Sequence, residues 1–91
     1  MNIVQTRYFK LSYKKLHVGQ IKPVNEAVRR ILSDPSCGEE KKGDLAGVLV
    51  YKFRVQDQQF LLAYEYDKET LFLLALGVHE NFYRDLKKNK L

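Results

Sequence analysis

Hydrophobic and polar positions shift at Val48 from a mainly helical to an alternating period. Ile3 to Phe9 alternates, with Val4, Thr6 and Tyr8 on one face, and predicts a first strand. Ser12 is suited to cap a short turn through Tyr13, Lys14, Lys15 and Leu16, which Gly19 interrupts. Ile21, Val24, Val28, Ile31 and Leu32 then form the stripe of an amphipathic helix. Pro23 is compatible with that helix if it begins around Gln20, where the missing N–H falls among unpaired first-turn donors. Arg29 and Arg30 suit the negative pole of its dipole, and Asp34-Pro35 ends it. Ser36 to Gly43 reads as a polar loop.

From Val48 onward the pattern alternates. Val48 to Val55, Gln59 to Tyr66 and Thr70 to Leu76 are strand-length runs rich in Val, Tyr, Phe and Leu. Their connectors, Gln56-Asp57-Gln58 and Asp67-Lys68-Glu69, are too short for a crossover, so the three runs predict an antiparallel meander. The last two are apolar on both faces, which predicts central strands covered on each side. After Gly77, His79 to Lys88 predicts a short terminal helix with Phe82 and Leu86 as an apolar pair and Arg84, Lys87 and Lys88 facing water. The order β-α-α-β-β-β-α is that of an α+β fold with a small antiparallel sheet.

Composition adds a partner class. Sixteen Lys and Arg face eleven Asp and Glu, giving a net charge of +5 in 91 residues, a length suited to one domain spanning 1–91. A basic balance favours polyanions, because Lys and Arg that neutralise phosphates release condensed counterions. The same charge would also simply keep a protein dispersed. The lone Cys37 cannot form an internal disulfide, and Met1 to Arg7 has no apolar core of secretory length, so a reducing cytoplasm is expected. No apolar run approaches the roughly 20 residues of a membrane span. Neither metal nor cofactor is expected, since the two His, one Cys and scattered carboxylates show no ligand spacing.

Two places offer chemistry. In Val48 to Val55, Leu49, Tyr51, Phe53 and Val55 fall on one side of a strand, and Val48, Val50, Lys52 and Arg54 on the other. Lys52 and Arg54 thus project together about 7 Å apart, a spacing able to meet neighbouring phosphates of a single strand. A solvent-exposed strand end explains them equally well. His79, just past the last strand, has the side chain best poised near neutral pH, and Tyr83 follows one helical turn later. A capping or surface histidine is the alternative there, and it is the reading for His17. Glu39, Glu40 and Asp44 read as solvating their loop.

Three stretches together carry a family resemblance: Lys41-Lys42-Gly43-Asp44-Leu45-Ala46-Gly47-Val48-Leu49-Val50-Tyr51-Lys52-Phe53-Arg54, Leu62-Ala63-Tyr64, and Leu74 through Leu86. In order and spacing they resemble the RelE/ParE toxins of bacterial type II toxin–antitoxin systems, across nearly the whole chain. The resemblance implies an antiparallel sheet packed by two N-terminal helices, neutralised by a cognate antitoxin. RelE-like members cut mRNA at the ribosome without metal or cofactor; ParE-like members inhibit DNA gyrase. Carried over by position, Lys52 and Arg54 match the paired basic residues that contact RNA phosphate. His79 matches a position where related ribonucleases place Arg or His, as general acid or base. Tyr83 and Phe82 lie near the C-terminal aromatic, for stacking on or positioning a base, with Arg84 as a further RNA contact. Leu61 departs from the pattern, standing where RelE-like enzymes carry a phosphate-stabilising Arg. Three functions follow: a metal-independent endoribonuclease, a gyrase inhibitor, or a toxin-fold module that only binds antitoxin.

Overall fold

Thr6 decides how the chain begins. Its extended backbone precedes a helix, and its hydroxyl accepts from the Phe9 N–H at 3.0 Å while donating to the Leu74 carbonyl at 2.7 Å. The first strand is therefore short, Asn2–Gln5 (β1), and Arg7–Lys14 (α1) is helical. The expected strand from Ile3 to Phe9 is corrected here, and so is the cap at Ser12: Phe9, Tyr13 and Leu16 turn one face of this segment onto the core. The computed structural model describes residues 1–78, 82–84 and 86.

The second helix, Val18–Ser33 (α2), buries Val24 and Ile31 of the stripe read from the sequence, together with Ala27. It starts before Gln20, with His17 as its N-cap and the His17 N–H donating to the Gln20 side chain at 2.9 Å. Pro23 thus lies inside the helix and not in its first turn. The carbonyl its missing N–H would have engaged belongs to Gly19, exposed and open to water.

The polar loop that follows contains a strand of two residues, Glu39–Glu40 (β2), between single 3₁₀ turns at Pro35–Cys37 and Gly43–Leu45. Leu49–Val55 (β3), Gln58–Tyr66 (β4) and Thr70–Val78 (β5) form the expected meander. The sheet order is β1-β5-β4-β3-β2, antiparallel except for β1, which lies parallel to β5. The return from β1 to the sheet runs through both helices and the meander, so its direction is not tied by a hairpin.

The sheet buries both faces. Leu49, Val55, Phe60, Leu62, Tyr64, Leu71, Leu73 and Leu76 meet α1 and α2, while Val48, Val50, Leu61, Ala63 and Ala75 form a second core with Leu45, Phe82 and Leu86. A bulge makes this possible: between Ala63 and Tyr64 the pairing of β4 skips Leu74 on β5. Leu71 and Leu73 then share the helical face with Leu76, and Leu74 and Ala75 both turn to the other.

The β2 edge is fastened by Tyr64. Its hydroxyl donates to the Pro35 carbonyl at 2.6 Å and accepts the Gly38 N–H at 2.9 Å. A Cβ on Gly38 would lie 2.6 Å from that hydroxyl, so the close approach requires glycine. Burial pushes the Tyr64 phenol well above its ordinary value of 10.0, which keeps it a donor.

Candidate functional site

Lys52 and Arg54 owe their place to alternation on β3. Val48 and Val50 enter the second core, and the two residues that continue this face, Lys52 and Arg54, emerge beyond it and are exposed. Lys52 heads a row across three strands, paired with Leu61, which pairs with Gly77. Leu61 is fully buried among apolar neighbours, so the row offers a cation at β3 and none at β4. The Arg54 guanidinium donates to the Asp57 carbonyl at 3.1 Å, which ties it to the β3–β4 turn.

Phe82 lies over Gly77, its ring carbon 3.6 Å from where a Cβ would sit, and thereby brings the C-terminal segment onto this row. Phe82–Arg84 and Leu86 are helical, with Phe82 and Leu86 buried as the expected apolar pair and Arg84 exposed. Phe82 is only 3% exposed. No base reaches its face while the segment is seated, and Tyr83 is the half-exposed ring beside it, edge-on at 5.3 Å. His79, Lys87 and Lys88, named from the sequence, lie outside the described residues.

The pairing of β2 with β3 adds two residues that sequence reading left in a solvated loop. Glu39 opposes Val50 and so points to the Lys52 face. Lys41 bonds Glu39 at 2.6 Å and sits 5.0 Å from the centre of the Tyr83 ring. The contact with Lys41, and then the charge of Lys52, hold the Glu39 carboxyl below its ordinary value of 4.5. Glu39 in turn, with Tyr83, raises the Lys41 ammonium above its ordinary 10.5. The available signal was the two-residue spacing of Glu39 and Lys41, which puts them on one face if the segment is extended.

Among the described residues the face thus brings Lys41, Lys52 and Arg54 together with the Glu39 carboxylate and the half-exposed Tyr83 ring. Such a surface can hold phosphates and stack a base. Among the described residues no group of three or more His, Cys, Asp or Glu side chains could hold a metal ion, and no helix is long and apolar enough to cross a membrane.

Comparison with known proteins agrees with the fold. A chain of the intact E. coli RelBE toxin–antitoxin complex superposes with a TM-score of 0.71 at 16% identity, covering 87% of this chain and 96% of that one. E. coli RelE in the free state, as an arginine-to-alanine double mutant, gives 0.74 at 14% identity over 97% and 90%. A YoeB/ParE toxin from Agrobacterium tumefaciens gives 0.65 at 21% over 87% and 99%. No curated protein matches the sequence significantly. Residues 3–87 match the family described as the ParE-like toxin of type II bacterial toxin–antitoxin systems, and the chain belongs to that family.

Proposed function

We propose that this toxin is a metal-independent endoribonuclease that cuts mRNA on the ribosome, in the cytoplasm, and is silenced by a cognate antitoxin. The observation that carries the reading is the exposed pair Lys52 and Arg54 on one face of β3, beside a C-terminal segment that presents Tyr83. In this reaction the 2′-oxygen attacks the adjacent phosphorus and the bond to the 5′-oxygen breaks, leaving a 2′,3′-cyclic phosphate and a 5′-hydroxyl. A base removes the 2′-proton and an acid returns one to the departing 5′-oxygen; His79 is assigned one of these two roles, general acid or general base. Lys52 and Arg54 stabilise charge on the non-bridging oxygens, and Tyr83 positions or stacks a base. Arg84 is assigned to the phosphate backbone. The likeness to a chain of the RelBE toxin–antitoxin complex supports an antitoxin as partner here.

A second reading, inhibition of DNA gyrase, is favoured by Leu61: a buried leucine leaves the centre of the row without a cation. Mapping mRNA 5′ ends after induction separates the two. Cuts on translating ribosomes that disappear in His79→Ala and Lys52→Ala support the nuclease. Intact mRNA with loss of supercoiling in a gyrase assay selects the inhibitor.

A further inference from the structure

Charged side chains line up along one face from β2 onto β3. Lys41 lies opposite Val48, its N–H donating to the Val48 carbonyl at 2.8 Å, and Glu39 lies opposite Val50. Lys52 is the next β3 residue on that face, so the edge runs Lys41, Glu39, Lys52, Arg54. Glu39 stands between two ammonium groups, touching Lys41 at 2.6 Å and held in its charged form by Lys52 as well. The two partners differ in freedom. The Lys41 side chain is 20% exposed and rests against the Tyr83 ring, whereas Glu39 is 62% exposed. The cation is built in, and the carboxylate is the half that can leave.

A carboxylate between two cations is chemically a stand-in for a phosphate. Surface ion pairs of this kind are weak, so a polyanion that brings several phosphates to the same edge can displace it. We propose that Lys41 is a third phosphate-binding cation of this face and that Glu39 is an internal competitor, which the RNA backbone displaces on binding. The inference rests on the RNA reading above and adds to it a residue and a means of restraint. Glu39 lowers affinity for any incidental polyanion and leaves Lys41 available to a backbone that also engages Lys52 and Arg54.

The neighbouring glutamate provides the control. Glu40 opposes Leu49 and therefore belongs to the opposite side of the strand, so Glu40→Gln changes net charge equally without touching the edge. The probe is a short, fluorescently labelled, 2′-O-methyl single-stranded RNA, which cannot be cut through its own 2′-oxygen. Its affinity is measured by anisotropy over a series of salt concentrations. Glu39→Gln is expected to tighten binding about two- to fivefold beyond Glu40→Gln. Lys41→Gln is expected to weaken it by a similar factor and flatten the salt slope by about 0.7, the contribution of one phosphate contact on a single strand. Lys41→Arg should restore both. A Lys41→Gln protein with unchanged slope, or a Glu39→Gln protein indistinguishable from Glu40→Gln, overturns the proposal while RNA binding through Lys52 and Arg54 still stands. If Lys52→Gln with Arg54→Gln leaves binding unchanged, the RNA reading itself fails and the inference goes with it.

Discussion

Replacing Tyr64 by Phe removes one oxygen and leaves the buried ring in place. That oxygen donates to the Pro35 carbonyl at 2.6 Å and accepts the Gly38 N–H at 2.9 Å, and Tyr64 itself is fully buried. Each bond is worth about 0.5–1.5 kcal/mol net, and each partner left unsatisfied costs about 1–3 kcal/mol. Water reaching the partly exposed loop offsets some of this, so a total of about 2 kcal/mol is expected. For a chain of this length that corresponds to a fall in melting temperature of about 8–16 °C. Urea unfolding followed by circular dichroism measures it, with an unchanged denaturant slope showing that the fold is intact. Gly38→Ala tests the same contact from the other side, since its Cβ would meet the Tyr64 hydroxyl at 2.6 Å. In the Tyr64→Phe background the nearest obstacle recedes to a ring carbon at 3.0 Å, so Gly38→Ala should cost about 1 kcal/mol less there than alone. A Tyr64→Phe loss below about 0.5 kcal/mol, or additive single and double variants, would refute the claim that this hydroxyl fastens the β2 edge.

Thr6→Val, which keeps the shape and deletes both the cap and the bond to Leu74, should destabilise the protein by about 1–2 kcal/mol in the same unfolding assay. The Glu39 carboxyl, followed by carbon-13 NMR, should titrate below its ordinary 4.5 because Lys41 and Lys52 favour its charged form. Its depressed folded value means that the stabilisation by Lys41 is present above the ordinary carboxylate range and is lost as pH falls through the folded midpoint. In Lys52→Gln that midpoint should rise; one that stays put removes Lys52 from the edge. Phe82→Ala should cost about 3–5 kcal/mol by opening the second core, whereas Tyr83→Ala should cost much less stability and chiefly weaken RNA binding. Equal stability losses would show that the two rings are not divided between core and surface.

Side chains with a strong local period are legible in the sequence. The α2 stripe, the meander and the emergence of Lys52 and Arg54 from one face all follow from spacing that burial then enforces. The first helix is not, because Val4, Thr6 and Tyr8 alternate by coincidence; the deciding event is Thr6 turning its hydroxyl onto Phe9 and Leu74, and the second of those partners is distant in sequence. Glu39 and Lys41 escape for a related reason. A two-residue strand has no period of its own, and only pairing with β3 gives its side chains a direction. Pro23 misplaces the start of α2 because the usual penalty for an interior proline argues for a first-turn position, whereas here the helix tolerates it with the Gly19 end exposed to water.

The extra residue in β5 acts as a phase change in the strand. Upstream of it odd-numbered side chains look toward the helices; downstream the even-numbered ones do. Deleting Leu74 would leave a regular strand in which Leu73, Ala75, Leu76 and Gly77 keep their partners Tyr64, Ala63, Leu62 and Leu61, and both halves would remain in phase. Leu76 would stay beneath the helices and Gly77 under Phe82; what would go is the local bend of the strand and the Leu74 side chain that packs against the second core. A single codon thus adds curvature and one more apolar side chain to the second core without altering which residues the helices cover.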